Sequence, residues 1–199
     1  MNNIRINIPR QNFEIIHDRI GEILVGELDF QAANYNTDLE NLVIYKERDI
    51  PFHPSEMPSV NVTLFRGEFE MQTLIQHNGR YQYAIEGYFQ GKGSDDVAGD
   101  TVGMIKLQRL MGTIRAIIMN PKYRTLGFDN PLIINRHLES IEFGKPVRQD
   151  SSHTVMARMV LVVSVPETTE YVDAINAAGF NTDVKLNLTE KGYIWVRDI

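Results

Sequence analysis

Four consecutive residues, Asp150, Ser151, Ser152 and His153, have the side-chain types of a hydrolase triad. In such a triad the histidine takes a proton from the serine and the aspartate orients the histidine, so the three groups must meet in space. Neighbours in sequence point in different directions, and the G-x-S-x-G turn that presents a nucleophilic serine is absent. We therefore interpret residues 148–153 as a polar connection between strands. A small hydrolase using Ser152 and His153 is kept as a distant alternative.

Other catalytic and binding patterns are also missing. The chain has no cysteine, which excludes disulfides, thiolate nucleophiles and cysteine zinc sites, and its five histidines are dispersed without the H-E-x-x-H spacing. The stretch QGKGSDD, residues 90–96, does not match a phosphate-binding loop, and Asp95 and Asp96 would repel a phosphate there. We instead expect Ser94 to cap the helix that follows. No cofactor and no metal are predicted.

Two further clusters have ordinary structural interpretations. Glu139 and Glu142 lie three apart in a predicted strand, so we expect them on opposite faces and not as a carboxylate pair. The aromatic stretch YQYAIEGYF, residues 81–89, could stack nucleic-acid bases, but few basic residues accompany it. A nucleic-acid-binding module is therefore a weaker alternative than a structural strand.

Size and charge restrict the classes of function. The 199 residues, 22.8 kDa, suffice for one domain with a small appendage. The net charge of −6 argues against free nucleic acid as the main ligand, because duplex binders need a basic surface. No apolar run is long enough for a secretory signal or a membrane span, so we expect neither.

Apolar periodicity predicts the elements. Apolar residues recur at three- and four-residue steps over residues 11–30, which indicates an amphipathic helix. A second, longer helix is predicted from residue 95 to Pro121. Strands with period two surround Asn78-Gly79, a pair typical of a two-residue hairpin turn. Two more strands are predicted over residues 132–143 and 154–165.

The order of these elements predicts an α+β fold. Because the strands follow one another in hairpins, we expect an antiparallel sheet of mixed strand lengths with helices packed on one face. Residues 1–166 are predicted to form this domain. Residues 167–199 are predicted to form a short C-terminal α/β extension with one helix and one hairpin.

Four stretches carry a resemblance to a known family. They are the opening helix NFEIIHDRIGEIL, the strand after a proline MPSVNVTLFRGEFE, the helix end IMNPKYRTLGF, and the strand pair INRHLESIEFGKPVRQDSSHTVMARMVLVVSV. Together they resemble the tail terminator, or tail completion, proteins of long-tailed bacteriophages. The resemblance covers roughly residues 10–166, and the C-terminal residues depart from the family pattern.

The resemblance implies a structural virion protein and no enzyme. Subunits of such proteins form a homo-oligomeric ring, commonly a hexamer, that caps the tail tube protein, ends tail polymerisation and forms the interface to head–tail connector or neck proteins. Genomic DNA passes through the lumen without specific binding, and no membrane takes part. The implied location is the tail or neck of the virion, and the host cytoplasm during assembly. Another head–tail connector or a neck or baseplate component remains the alternative.

A ring of identical subunits needs a heterologous interface, in which one surface meets a different surface of the next copy. Loops that project from the body are candidates for such contacts, and we predict them at residues 51–58, 91–95 and 144–153. The candidate contact residues of the third loop are Lys145, Arg148, Gln149, Asp150 and His153.

Overall fold

The computed structural model describes residues 8–48, 54–73, 76–93, 98–129, 132–145, 147–149, 152–168, 181–185 and 192–196. The chain divides into two compact units, one of residues 9–169 and one of residues 1–8 with 170–199.

The larger unit contains two helices and six strands. In chain order they are α1 (Asn12–Asn34), β1 (Val43–Lys46), β2 (Ser59–Met71), β3 (Gln76–Lys92), α2 (Gly99–Ile118), β4 (Asn135–Phe143), β5 (Val147–Gln149) and β6 (Ser152–Thr168). Short 3-10 turns lie at Thr37–Leu39, Pro54–Glu56 and Pro121–Tyr123. In the smaller unit, β7 (Asn181–Lys185) and β8 (Gly192–Val196) form the predicted antiparallel hairpin. The C-terminal helix predicted ahead of this hairpin lies outside the described residues.

The sheet of the larger unit has the order β1-β2-β3-β6-β4, with β5 also paired to β6. All pairs are antiparallel except β1–β2. The predicted α+β fold is confirmed, but the sheet is mixed, not antiparallel throughout. A parallel pair needs a crossover of about a dozen residues, and residues 47–58 supply it. This Pro-rich segment is the one predicted as a loop.

Both helices pack on the same face of the sheet. Helix α1 starts with a capping box in which Gln11 N donates to Glu14 Oε2 at 2.7 Å. It runs four residues beyond the predicted end at residue 30. Its buried stripe is Ile16, His17, Ile20, Ile23, Leu24 and Leu28. The apolar periodicity of the sequence therefore identified the buried side of this helix.

Helix α2 begins later than predicted. Its N-cap is Ala98, which has no side-chain cap, and Ser94 lies outside the described residues. The first turn of α2 approaches the sheet closely. A Cβ on Gly91 of β3 would stand 1.8 Å from Gly99 O, so only glycine fits beneath the first turn of α2. The helix ends before Pro121, as predicted. Its buried apolar residues are Leu107, Leu110, Met111, Ile114, Ile117 and Ile118.

The predicted turn at Asn78-Gly79 is wrong, because both residues lie inside β3 and pair with β2. The chain reverses earlier than predicted, between Met71 at the end of β2 and Gln76 at the start of β3. Gly79 has a packing role instead: a Cβ there would stand 2.9 Å from Tyr81 Oη and 3.0 Å from Glu167 Cγ. Tyr81 donates a hydrogen bond to Glu167, which holds both groups against the glycine.

The prediction that Glu139 and Glu142 lie on opposite faces of the sheet is also wrong. A β-bulge at Glu139 inserts an extra residue into β4 and shifts the alternation of its side chains. Glu139 accepts a hydrogen bond from Arg80 at 2.9 Å, and Glu142 lies opposite Arg158. Both carboxylates therefore lie on the sheet face away from the helices, which we call the open face.

Candidate assembly surface

The stretch predicted as a projecting loop partly continues the sheet. Lys145 is exposed between β4 and β5. Arg148 pairs with His153 across β5 and β6, Gln149 is the last residue of β5, and Asp150 lies outside the described residues. Residues 147–149 therefore form a short hairpin arm on β6 instead of a loop, and their role in assembly stays a prediction.

The backbone gives Ser152 and His153 consecutive positions in β6. Asp150 lies outside the described residues, so the hydrolase alternative stays a prediction.

The described residues hold no other reactive cluster. Within them, no group of three or more His, Asp or Glu is placed to bind a metal ion. His17 is buried in α1, with Nε2 2.9 Å from Val62 O and its ring stacked on Tyr83 at 6.0 Å. This histidine is a hydrogen-bonded core residue. In the described part of the chain, no helix is long and apolar enough to cross a membrane.

A groove between α1 and β1 has a volume of about 430 Å³. Gly21, Val25 and Ile44 contribute to its mainly apolar lining. The charged groups at its rim are already paired, since Lys46 and Arg10 both contact Asp18 and thereby lower the pKa of that carboxyl. The lining is thus mainly apolar, and its carboxylate Asp18 is held by two cations.

The open face carries ion pairs that cross several strands. Arg80 of β3 donates to Glu68 of β2 and to Glu139 of β4, each at 2.9 Å. Strand β6 lies between β3 and β4. The Arg80 side chain therefore crosses β6 at Ser164, the residue paired with it, to reach β4. The pKa of Glu68 is lowered mainly by its hydrogen bond to Arg80. One guanidinium thus ties three strands together.

A second charged group lies deeper on the same face. The side chain of Glu86 is 9% exposed, and Arg158 donates to its Oε1 from Nε at 2.8 Å and Nη2 at 2.5 Å. Tyr88 donates to the other carboxylate oxygen at 2.9 Å. Burial next to this carboxylate raises the pKa of Tyr88. A buried carboxylate costs stability unless it is paired, and here both oxygens have donors.

Two strand edges have no strand partner among the described residues, and they lie on opposite sides of the sheet. Strand β1 covers only Ser59–Val62 of β2, which leaves the rest of that edge unpaired. The outer edge of β4 is unpaired along its length. Large apolar side chains are exposed at both edges: Phe65, Phe69 and Met71 on β2, and Ile141 and Phe143 on β4. Unpaired edges with exposed apolar residues are typical sites of association with another chain.

Sequence reasoning did not find this surface. The bulges at Phe65 and Glu139 rearrange which residues face outward, and a bulge has no reliable signal in a single sequence. The sequence did contain one usable signal, namely aromatic and apolar residues at positions that alternation assigned to solvent.

Comparison with known proteins adds no assignment. No protein-family model matches the sequence, and no curated protein sequence matches it significantly.

Proposed function

We propose that the chain is a structural subunit that assembles head to tail into a ring and caps the tail tube of a long-tailed bacteriophage. In this role it ends tube polymerisation and presents a surface to the neck of the filled head. The proposal joins the family resemblance of residues 10–166 to the assembly surface described above.

One observation carries the proposal: the sheet has two different unpaired edges on its two sides. An interface that joins unlike surfaces generates either a closed ring or an open filament. The β2 edge of one copy and the β4 edge of the next are such unlike surfaces, and each exposes apolar side chains. A ring of this kind uses both edges of every subunit.

The segments that carry the resemblance contribute strands to both sides of the sheet. The stretch at residues 57–70 supplies most of β2, and the closing strand pair supplies β4 and β6. These segments therefore supply both unpaired edges and the strand between them. The negative net charge supports a lumen through which DNA passes without sticking.

The proposal is tested with the full-length protein alone. Light scattering and negative-stain images of the same sample should give particles near six times the 22.8 kDa subunit mass, with a central hole. A monomer at every concentration up to the solubility limit, with no rings in the images, contradicts the proposal. A neck or connector protein also predicts rings. The terminator and the connector are distinguished by adding the protein to growing tubes of the tail tube protein that the same genome encodes. Only a terminator should cap these tubes and leave them shorter.

A further inference from the structure

The two helices and the turns that follow them carry opposite charge. Residues 12–40, α1 with its 3-10 turn, contain seven acidic residues and one basic residue, a formal charge of −6. Residues 99–124, α2 with its 3-10 turn, contain five basic residues and one acidic residue, a formal charge of +4. Since the whole chain has a charge of −6, this segregation is a local feature and does not follow from overall composition.

Part of this charge is matched inside the protomer. Lys106 reaches Asp38 and Lys122 reaches Glu27, each with Nζ 2.7 Å from the carboxylate oxygen. Lys122 and the Tyr123 hydroxyl lower the pKa of Glu27 through hydrogen bonds. These pairs join α1 to α2 and the turn after it. The charges on the outer sides of the two helices are not used by these contacts.

The outer side of α2 is basic. On the inner side of α2, Arg109 and Thr113 line a second groove, which lies between α1 and α2. On the other side, the sulfur of Met119 is 3.3 Å from Nη1 of Arg136 in β4. Arg115 lies one helical turn before Met119 and therefore on the same side. Arg115, Met119 and Arg124 are exposed, and we call them the basic rim. Neither arginine of the rim has an ion pair within the described residues.

The outer side of α1 is acidic. Glu22, Val25 and Asp29 are spaced at i, i+3 and i+7, so they share one side of the helix. Glu22 and Val25 line the groove next to β1, and all three residues are exposed. Glu22 accepts a hydrogen bond from Arg19 at 2.9 Å, but this exposed pair contributes little and leaves the Glu22 side chain 64% exposed. We call Glu22, Val25 and Asp29 the acidic rim. Val25 in this rim and Met119 in the basic rim are each apolar residues flanked by charges.

The two rims lie toward opposite sides of the sheet. Helix α1 packs against β1 and β2, and helix α2 packs against β3 and β6. Arg136 of β4 also donates a hydrogen bond to the carbonyl oxygen of Asn120, just after α2. In the strand order β1-β2-β3-β6-β4, the acidic rim is therefore at the β1 side and the basic rim at the β4 side. Glu22 lines the groove next to β1 and also a depression that reaches Tyr123 and Gly127, so the two rims lie over different sides of the sheet without being fully separated.

We propose that the basic rim of one protomer docks against the acidic rim of a second copy of this chain. The contact rests on the proposed ring and names the surface and the charge pairs that join its subunits. Complementary charge fixes which edges meet, because it favours a β4 side next to a β1 side and opposes two like sides. Each protomer then offers one rim of each sign, which is the condition for head-to-tail closure.

Charge-reversal variants test the contact. Arg115→Glu with Arg124→Glu makes both rims acidic, and Glu22→Lys with Asp29→Lys makes both rims basic. All four residues are exposed, so thermal unfolding should show that both variants fold. Each variant alone should associate at least about tenfold more weakly than the wild type, because like charges then meet. An equal mixture should regain assembly with alternating subunits, since every contact again joins opposite signs.

A variant with a charge reversed outside both rims serves as the control. Arg109→Glu changes the net charge as much as the single variant Arg115→Glu does, but Arg109 is exposed in the groove between α1 and α2, outside both rims and outside the predicted contact loops. These two single variants are compared directly, and only Arg115→Glu should weaken association. The Arg109→Glu control should assemble like the wild type. If the wild type forms rings and both reversed variants do so equally well, or their mixture contains no heteromer, the rim contact is wrong while the ring stands. A wild type that never leaves the monomer overturns both.

Discussion

Neighbouring residues of β3 are almost equally buried on the two faces of the sheet, but different partners bury them. Tyr83 and Ile85 are fully buried among apolar residues on the helix side. Gln82 and Glu86, which flank this pair in sequence, are 6% and 7% exposed as whole residues and lie on the open face. There the covering groups are polar side chains from neighbouring strands, such as Arg158 over Glu86.

This difference has an energetic consequence. Burying apolar side chains against helices contributes about 25 cal/mol per Å². An ion pair that replaces water on a sheet surface contributes little, because desolvation offsets most of the attraction. The helix side should therefore carry the stability of the fold.

The largest effect is expected where helix and sheet touch most closely. Gly91→Ala should destabilise the protein by about 3 kcal/mol or more, because its Cβ would overlap the backbone of Gly99 and Gly103. The matched control is Gly112→Ala, on an exposed part of α2 with nothing within 4 Å of the added carbon. That change should stabilise by about 0.5–1 kcal/mol. Urea unfolding of the two variants measures both, and a tolerated Gly91→Ala would contradict the packing described for α2.

An apolar truncation on the helix side should cost less than this overlap. Leu161 of β6 is fully buried in the core, so Leu161→Ala should lower the free energy of unfolding by about 2–5 kcal/mol. The same measurement on Met156→Ala, a partly exposed open-face position of the same strand, should give a smaller loss. Equal losses at the two positions would remove the contrast between the faces.

Breaking the buried ion pair should have an intermediate effect that disappears when both partners are replaced. Glu86→Gln should cost about 1–2 kcal/mol, since Arg158 loses its anion but is itself half exposed. The double variant Glu86→Gln with Arg158→Met should be closer to the wild type than the single variant. A double-mutant cycle in urea checks this, and strictly additive losses would show that the pair is not coupled.

The sequence could predict the helices, most strands and the α+β class, because apolar periodicity and Pro121 act locally. It could not predict features that arise from packing between distant segments. Asn78-Gly79 was predicted as a turn, but a glycine is needed at position 79 because Tyr81 and Glu167 pack closely against it. The close approach of Gly91 to the first turn of α2 exists only after folding. The bulge at Glu139 depends on its pairing with β6, so the faces of β4 were assigned incorrectly.

The smallest effect concerns pH. The hydrogen bond from Arg80 lowers the pKa of Glu68 below its ordinary value of 4.5. A carboxyl whose pKa is lowered by folding stabilises the fold above about 4.5, and this contribution is lost as the pH falls through the lowered value. In Arg80→Met, an NMR titration should show Glu68 closer to 4.5 and a shallower loss of stability in acid. An unchanged titration would mean that Arg80 does not hold this carboxylate in solution.

The central claim is that unlike sides of this subunit join and close on themselves. Mass photometry of the full-length protein across a concentration series, with images of the same sample, tests it most directly. The account predicts a single closed species near six subunits that dissociates as salt is raised. A protein that stays at 22.8 kDa at all concentrations, or that forms only symmetric dimers, would contradict it.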